Sequence, residues 1–173
     1  MSEGILLAKV ARGTLLPEAD RVARLREALP QIEAVVEDET DDVALQATLA
    51  CLLWETLPQT NWCGFYRRVG DRMLAVGPYQ GSLGCLRIPF ERGVCGAAAS
   101  TLQTQLVPDV HAFPGHIACD GATQSELVIP LVARGQLRAV LDLDCTHRDG
   151  FSPREKELLE AFLKSGWMEE LAW

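Results

Sequence analysis

The sequence predicts a single α+β domain built on a mostly antiparallel six-stranded sheet, with helices on one face and a loop-covered pocket on the other. Two observations carry this prediction. Apolar residues recur at helical spacing in the first third of the chain, whereas from Trp62 onward short strand-like segments of alternating polarity follow one another. The length of 173 residues fits one domain with one main core.

Helices are predicted at both ends of the chain. Glu18 to Leu29 and Asp41 to Leu57 carry apolar residues at helical spacing, and Pro30 is expected to end the first helix. The last helix begins at Ser152 with a capping-box spacing and a proline at its first helical position. The domain then divides into a helical N-terminal segment of about 1–58, a sheet with its active-site loops of about 61–146, and a C-terminal helix of about 152–172.

The middle of the chain predicts six strands joined by short turns. Gly70-Asp71 and Gly135-Gln136 are typical hairpin turns, and Gly93 to Leu102 suggests a short helix between two strands. The long segment from Pro108 to Ser125 is expected to cover the sheet face that the helices leave open, and so to form a pocket. The predicted strands are Trp62 to Val69, Arg72 to Val76, Cys85 to Ile88, Gln105 to Val107, Glu126 to Ala133 and Leu137 to Cys145.

The composition excludes several classes of function. A net charge of −8 disfavours nucleic-acid binding, which needs clustered Lys and Arg. The apolar runs near the start are too short for a membrane span or a secretory leader, so the sequence predicts a cytoplasmic protein. In a reducing compartment, the six cysteines are expected to be free, catalytic or metal-binding thiols rather than structural disulfides.

Three of these cysteines, Cys85, Cys95 and Cys119, lie in Gly-, Pro- and His-rich segments where a small molecule could reach them. Strand alternation suggests what lies nearby. In the last strand, Leu137, Ala139, Leu141 and Leu143 are expected to face the helices, which places Asp142 and Asp144 on the loop side with Val140. Glu126, at the start of the preceding strand of the hairpin, can join the two aspartates, and alternation places Trp62 and Tyr66 on one strand face, where they can form an aromatic wall.

Several strings of the sequence together resemble the free methionine-(R)-sulfoxide reductases, enzymes built on a GAF domain. The resemblance covers about Leu45 to Leu163 and implies a single GAF domain over 1–173; its most specific part runs from Val107 to Asp120. The strings are NWCGFY from Asn61, GPYQG from Gly77, CLRIPF from Cys85, GVCG from Gly93, VPDVHAFPGHIACD from Val107 and Ser125-Glu126.

The resemblance implies a redox mechanism with no metal or organic cofactor. Cys119 would attack the sulfoxide, Cys85 would be the main resolving thiol and Cys95 an auxiliary one, with electrons supplied by a thioredoxin-like dithiol protein. The other implied roles concern the substrate. Glu126, Asp142 and Asp144 would hold its sulfoxide oxygen and ammonium, Trp62 and Tyr66 its S-methyl group, and backbone N–H groups of the Gly115 to Gly121 loop its carboxylate.

Alternatives stay open at this point. Cys95 could be the nucleophile instead, because a thiolate in the first turn of a helix is stabilised by exposed N–H groups. His111 and His116 could pack the loop or lower a thiol pKa, with packing favoured for His111. The chain could also be a GAF sensor that binds a small molecule without catalysis, or a zinc protein using Cys85, Cys95, Cys119 and His116.

Two further expectations concern the rest of the chain. Cys51, Cys63 and Cys145 lie outside the family's cysteine pattern and are interpreted as small core residues. The N-terminal helices could bury their apolar stripes in a homodimer, as they often do in that family.

Overall fold

The computed structural model describes residues 5–117 and 119–164 and confirms the predicted α+β fold. Its elements, in chain order, are α1 (Glu18–Val36), α2 (Asp42–Thr56), β1 (Thr60–Arg68), β2 (Met73–Gly81), β3 (Arg87–Pro89), α3 (Gly93–Thr101), β4 (Gln105–Val107), a 3₁₀ turn (Val110–Ala112), β5 (Ser125–Ala133), β6 (Gln136–Cys145) and α4 (Pro153–Leu163). None of the helices within these residues is long and apolar enough to cross a membrane.

The strands form one six-stranded sheet in the order β3-β2-β1-β6-β5-β4, and all neighbouring strands are antiparallel. The β5–β6 hairpin turns through Arg134 and Gly135, which have φ angles of 52° and 74°. Positive φ at both central residues is the requirement of the tight hairpin turn that matches strand twist. The turn therefore lies one residue before the predicted Gly135-Gln136.

One sheet face packs against α1, α2 and α4 and forms the main core, where Leu25, Leu53 and Leu159 of these helices meet Phe65 and Leu141 of the sheet. The opposite face carries a second apolar cluster that includes α3. The sequence predicted only loops on that face. α3 fits there because its buried Gly96, Ala98 and Ala99 add little side-chain bulk between the helix and the sheet.

Leu137 departs from the predicted alternation of β6. It belongs to the second cluster, with Val140, rather than to the main core with Ala139, Leu141 and Leu143. The reason is a register shift between β5 and β6 at Leu131/Val132, where one extra residue reverses the face of everything beyond it. The alternation holds from Ala139 onward, which is the part that positions the aspartates.

The first and last helices differ from prediction in their ends. Pro30 lies inside α1, so the expected end at Leu29 is wrong. The burial of Ile32 and Val36 beyond it offsets the backbone hydrogen bond that proline removes. α4 begins at the predicted capping box, with hydrogen bonds in both directions between Ser152 and Glu155. Residues 165–172 of the predicted C-terminal helix lie outside the described residues.

A buried ion pair joins α1 to α4. The Arg21 guanidinium donates to both Glu155 carboxylate oxygens at 3.0 Å, and both side chains are almost fully buried. Gln59 Nε2 and the backbone N–H of Ser152 donate to the same carboxylate at 3.1 and 2.8 Å. The carboxylate therefore compensates a charge that water cannot reach.

We expect Glu155→Gln to destabilise the fold by about 3–5 kcal/mol, because it leaves the Arg21 charge buried without a counter-charge. The free energy of unfolding, measured by urea denaturation, checks this. Glu157→Gln changes an exposed carboxylate of the same helix and should stay within about 0.5 kcal/mol of the wild type. Equal stability of the two variants would contradict the prediction.

Candidate active site

Three carboxyl groups line up on the face of the sheet that the main core leaves open. In the strand register, Trp62 of β1 lies opposite Asp144 of β6, and Asp144 lies opposite Glu126 of β5. Asp142 occupies the next position on the same face, between Gly64 and Val128. The predicted grouping of Glu126, Asp142 and Asp144 is thus a direct consequence of the pairing of three neighbouring strands.

Burial changes the protonation of this group. Glu126 and Asp142 are only 6% and 5% exposed. Burial raises the pKa of Asp142 to about 6, while burial and the neighbouring Asp142 charge raise the pKa values of Glu126 and Asp144 well above their ordinary range. Burial and mutual repulsion therefore favour the protonated form in this group of coupled carboxyls, and Asp142 is the member whose pKa is raised least.

Cys95 lies in the first turn of α3, with its Sγ 3.8 Å from Glu126 Oε1. Burial first, and then the charge of Asp142, raise the pKa of this thiol well above its ordinary value. These effects outweigh the stabilisation that a helix N-terminus gives a thiolate. Cys95 is therefore a neutral thiol near neutral pH, which disfavours the interpretation of Cys95 as the nucleophile.

Cys85 and Cys119 form a disulfide, with their Cα atoms 5.3 Å apart across 34 positions of sequence. Cys85 lies in the loop between β2 and β3, and Cys119 in the long loop before β5. Two of the four ligands of the hypothetical zinc site are thus bonded to each other. Among the described residues, a different set could hold a metal ion: one ligand atom each from Cys95, Glu126 and Asp142, all within 4.8 Å of one another.

Asp120 connects the loop that carries Cys119 to the loop that carries Cys85 through side-chain hydrogen bonds. Its Oδ2 accepts hydrogen bonds from Ser82 Oγ at 2.7 Å and Asn61 Nδ2 at 3.1 Å, and its Oδ1 accepts one from the Ala122 backbone N–H at 2.9 Å. These bonds, led by the one from Ala122, lower the pKa of Asp120. This role of Asp120 was not predicted from the sequence; its local signal is the Asp-Gly-Ala turn, in which the aspartate side chain accepts a hydrogen bond from the backbone two residues later.

The predicted aromatic wall is present and has a third member. Trp62 stacks between Tyr66 and Tyr79, with ring centroids 5.3 and 5.1 Å away, and its Nε1 has no hydrogen-bond partner. Tyr79 was not predicted, although it lies directly opposite Gly64 in the strand register. Gly84 is required above this wall, because a Cβ there would lie 2.8 Å from Tyr66 Oη.

A small cavity of about 30 Å³ lies between the aromatic wall, the thiols and the carboxyls. It is lined by Trp62, Cys95, Cys119 and the three carboxyl residues. His116 also lines this cavity, and its Nδ1 has no hydrogen-bond partner. Burial and the nearby His111 lower the pKa of His116, so its imidazole is neutral near neutral pH. A cavity of this size holds a water molecule but not an amino acid. A larger groove of about 560 Å³ between β5 and α4 has no thiol in its lining.

The remaining cysteines are separate from this site. Cys63 and Cys145 are buried in the main core, as predicted. Cys51 is exposed on the outer surface of α2, so its interpretation as a core residue is wrong. Its neighbours Ala50 and Leu52 take the buried positions of that helix.

Comparison with known proteins places the chain in a family. Residues 31–166 match the GAF domain. The free methionine-R-sulfoxide reductase of Escherichia coli (strain K12) is 45% identical over 124 residues, which are 72% of this chain and 74% of that protein. The free methionine-R-sulfoxide reductase of Saccharomyces cerevisiae is 40% identical over 147 residues, which are 81% of this chain and 82% of that protein.

A solved structure agrees with these relatives. The free methionine-R-sulfoxide reductase of Neisseria meningitidis, solved in complex with its substrate, superposes with a TM-score of 0.82 at 40% identity and covers 94% of each chain. The similarity extends over nearly the whole chain. The chain therefore belongs to the GAF-domain family and, within it, to the free methionine-R-sulfoxide reductases.

Proposed function

We propose that this chain reduces free L-methionine-(R)-sulfoxide to L-methionine through a cysteine sulfenic acid and an intramolecular disulfide. The observation that carries the proposal is the Cys85–Cys119 disulfide beside a buried group of three carboxyls. A thiol pair that can close, next to groups that can donate protons, is what sulfoxide reduction requires. Family membership supplies the substrate class.

The proposed reaction begins with the Cys119 thiolate attacking the sulfoxide sulfur. A carboxyl proton goes to the sulfoxide oxygen, the S–O bond breaks, and the oxygen passes to Cys119 as a sulfenic acid while methionine leaves. The Cys85 thiol then attacks the Cys119 sulfur, a disulfide forms and water departs. The substrate gains two electrons and the thiol pair loses two. Cys95 serves as an auxiliary thiol for the sulfenic acid when Cys85 is absent.

The three carboxyl residues have two different roles in this proposal: proton donation and binding of the substrate ammonium. Glu126 and Asp144 hold the protons that polarise the S–O bond, because their pKa values are raised well above the ordinary range. Asp142, whose Oδ1 has no partner, receives the substrate ammonium. Trp62 and Tyr66 pack against the S-methyl group. Backbone N–H groups of the loop from Gly115 to Gly121, of which Ala118 lies outside the described residues, receive the substrate carboxylate.

The reduced form is the form that binds substrate in this proposal. The Cys85–Cys119 bond holds two loops together over a cavity of only about 30 Å³. Cleavage of that bond frees the two loops to move apart and admit an amino acid. Formation of the bond after methionine has left closes the loops again, so the oxidised form does not rebind an amino acid until the disulfide is reduced.

The wider setting is also part of the proposal. A thioredoxin-like dithiol protein in the cytoplasm reduces the disulfide, so that the enzyme recovers methionine that oxidative stress has damaged. The protein acts as a homodimer, but the apolar stripes of its N-terminal helices are buried in the main core of the single chain, so the contact between copies uses other residues.

We expect the reduced protein, with no other reductant, to release about one methionine per chain from free L-methionine-(R)-sulfoxide. The S epimer should give almost none. N-acetylation of the substrate should lower kcat/KM by about 5- to 150-fold or more, because it leaves the buried Asp142 carboxylate without its partner. Chromatographic measurement of methionine checks all three. Release of no methionine, as in a GAF sensor without catalysis, or equal turnover of free and N-acetylated substrate would contradict the proposal.

A further inference from the structure

Two exposed leucines flank the disulfide. Leu83 and Leu86, which are 75% and 66% exposed, lie on either side of Cys85 in the loop between β2 and β3. Single exposed apolar side chains are common and need no explanation. A pair of exposed leucines in one short loop, both within two positions of a redox-active cysteine, does call for an explanation. The described residues contain few large apolar side chains that are this exposed.

The two sulfurs of the disulfide have different surroundings. Cys119 lines the cavity together with Cys95 and the carboxyl residues. Cys85 and Cys119 are both half-buried, but Cys85 is flanked by the largely exposed Leu83 and Leu86, whereas Asp120 beside Cys119 is half-buried. At the disulfide, the segment around Cys85 is therefore the more exposed of the two and offers the larger surface to another protein.

We propose that Leu83 and Leu86 form the docking surface for the dithiol protein that reduces this enzyme, and that Cys85 is the sulfur that this protein attacks. The inference rests on the proposed function, because only a redox-active disulfide needs such a partner. The partner must bring a thiolate into contact with Cys85, and this approach removes water from the surrounding loop. Apolar side chains at the centre of such a contact contribute most to binding when they lose water.

The charge of Arg87 indicates which groups the partner should carry at the edge of its contact surface. The chain has a net charge of −8, but Arg87 places an exposed positive charge directly after Leu86. An apolar contact surface with acidic groups at its edge therefore complements this loop.

The reduction proceeds by two thiol–disulfide exchanges. The partner's first thiolate attacks the Cys85 sulfur, a mixed disulfide forms, and Cys119 leaves as a thiolate into the cavity. The partner's second thiol then attacks its own sulfur in the mixed disulfide and releases Cys85. Two electrons pass from the partner to the enzyme, and the partner ends as a disulfide. Attack on Cys85 has the consequence that the nucleophile Cys119 is regenerated first.

The docking surface can be tested with Leu86→Gln, because Leu86 is exposed and does not line the cavity, whereas Leu83 does. Turnover is measured with recombinant thioredoxin at varied concentration and, separately, with dithiothreitol. We expect the KM for thioredoxin to rise about tenfold and the rate with dithiothreitol to stay unchanged. Leu6→Gln is the matched control, since Leu6 is 73% exposed and lies beside α1, where its backbone N–H donates to Gln31.

The outcomes separate the two proposals. Turnover of the wild type with dithiothreitol tests the proposed function, and its absence would reject that function. Normal turnover with dithiothreitol, together with an unchanged KM for thioredoxin in Leu86→Gln, would reject the docking surface alone. A change of oligomeric state in Leu86→Gln, measured by sedimentation, would assign this loop to contact with a second copy and would also reject the docking surface.

The attacked sulfur is tested by trapping. Thioredoxin whose second thiol is replaced by serine cannot complete the exchange, so the mixed disulfide accumulates. After an acid quench, peptide mapping by mass spectrometry should find thioredoxin bonded to the peptide that contains Cys85. A bond to Cys119 would overturn the assignment of the attacked sulfur.

Discussion

Cys119→Ser is expected to release no methionine, even in a single turnover with an excess of dithiothreitol. A serine hydroxyl stays protonated near neutral pH and is a poor nucleophile toward sulfur, so the first step is lost rather than slowed. Cys119 is the thiol that lines the cavity and can also reach Cys85. Quenched-flow measurement of methionine, with the reduced variant and free L-methionine-(R)-sulfoxide, checks this expectation.

Cys85→Ser is the matched variant, because it removes the other half of the same disulfide. It should still release about one methionine per chain and leave a sulfenic acid on Cys119, which dimedone labels and which Cys95 or added thiol resolves slowly. A burst of wild-type size in Cys119→Ser, combined with loss of the burst in Cys95→Ser, would reassign the nucleophile to Cys95. The raised pKa of the Cys95 thiol argues against that outcome.

The carboxyl substitutions should give the second largest effect. Glu126→Gln, Asp142→Asn and Asp144→Asn are each expected to lower kcat by about 10²–10³-fold, because each removes a proton donor or a counter-charge where charge develops in the transition state. The strand pairing and the main core on the opposite face stay intact. Steady-state kinetics checks the rate, and Asp71→Asn, an exposed carboxylate at the β1–β2 turn, is the control. Wild-type turnover in all three variants would leave these carboxyls without a catalytic role.

The raised pKa of Asp142 is expected to govern how kcat/KM and the free energy of unfolding depend on pH. In the wild type, kcat/KM should rise as Asp142 ionises at about pH 6, and fall at higher pH when Glu126 and Asp144 lose their protons. A raised folded-state pKa of an acid contributes stability that is present below the unfolded value of 3.8 and lost as pH rises through about 6. Asp142→Asn should therefore lose the rising limb, and its free energy of unfolding should improve relative to the wild type from about pH 4 to about pH 7.

A control separates this charge effect from a general change in packing. The difference in stability between Asp142→Asn and the wild type should depend on pH, whereas a loss of packing would shift stability equally at each pH. A constant difference between the two proteins would contradict the buried charge on Asp142.

Part of the fold and of the site could be predicted because it depends on residues close together in sequence. The alternation of Asp142 and Asp144 with leucines placed both carboxyls on one sheet face, since successive side chains of a strand point to opposite sides. The capping box at Ser152 and Glu155 located the start of α4 for an equally local reason. The motif strings identified Cys85, Cys95 and Cys119 as one group from sequence alone.

Only the tertiary structure decided what depends on contacts between distant segments. Strand pairing set Glu126 opposite Asp144, and the burial of this pair raises the pKa values of both carboxyls. The bulge that turns Leu137 to the other face and the continuation of α1 past Pro30 both depend on long-range packing, which outweighs a local preference. The resemblance implied that Cys85 resolves Cys119, but only the folded chain shows the two Cα atoms 5.3 Å apart across 34 positions of sequence, with Asp120 accepting a hydrogen bond from Ser82 of the other loop.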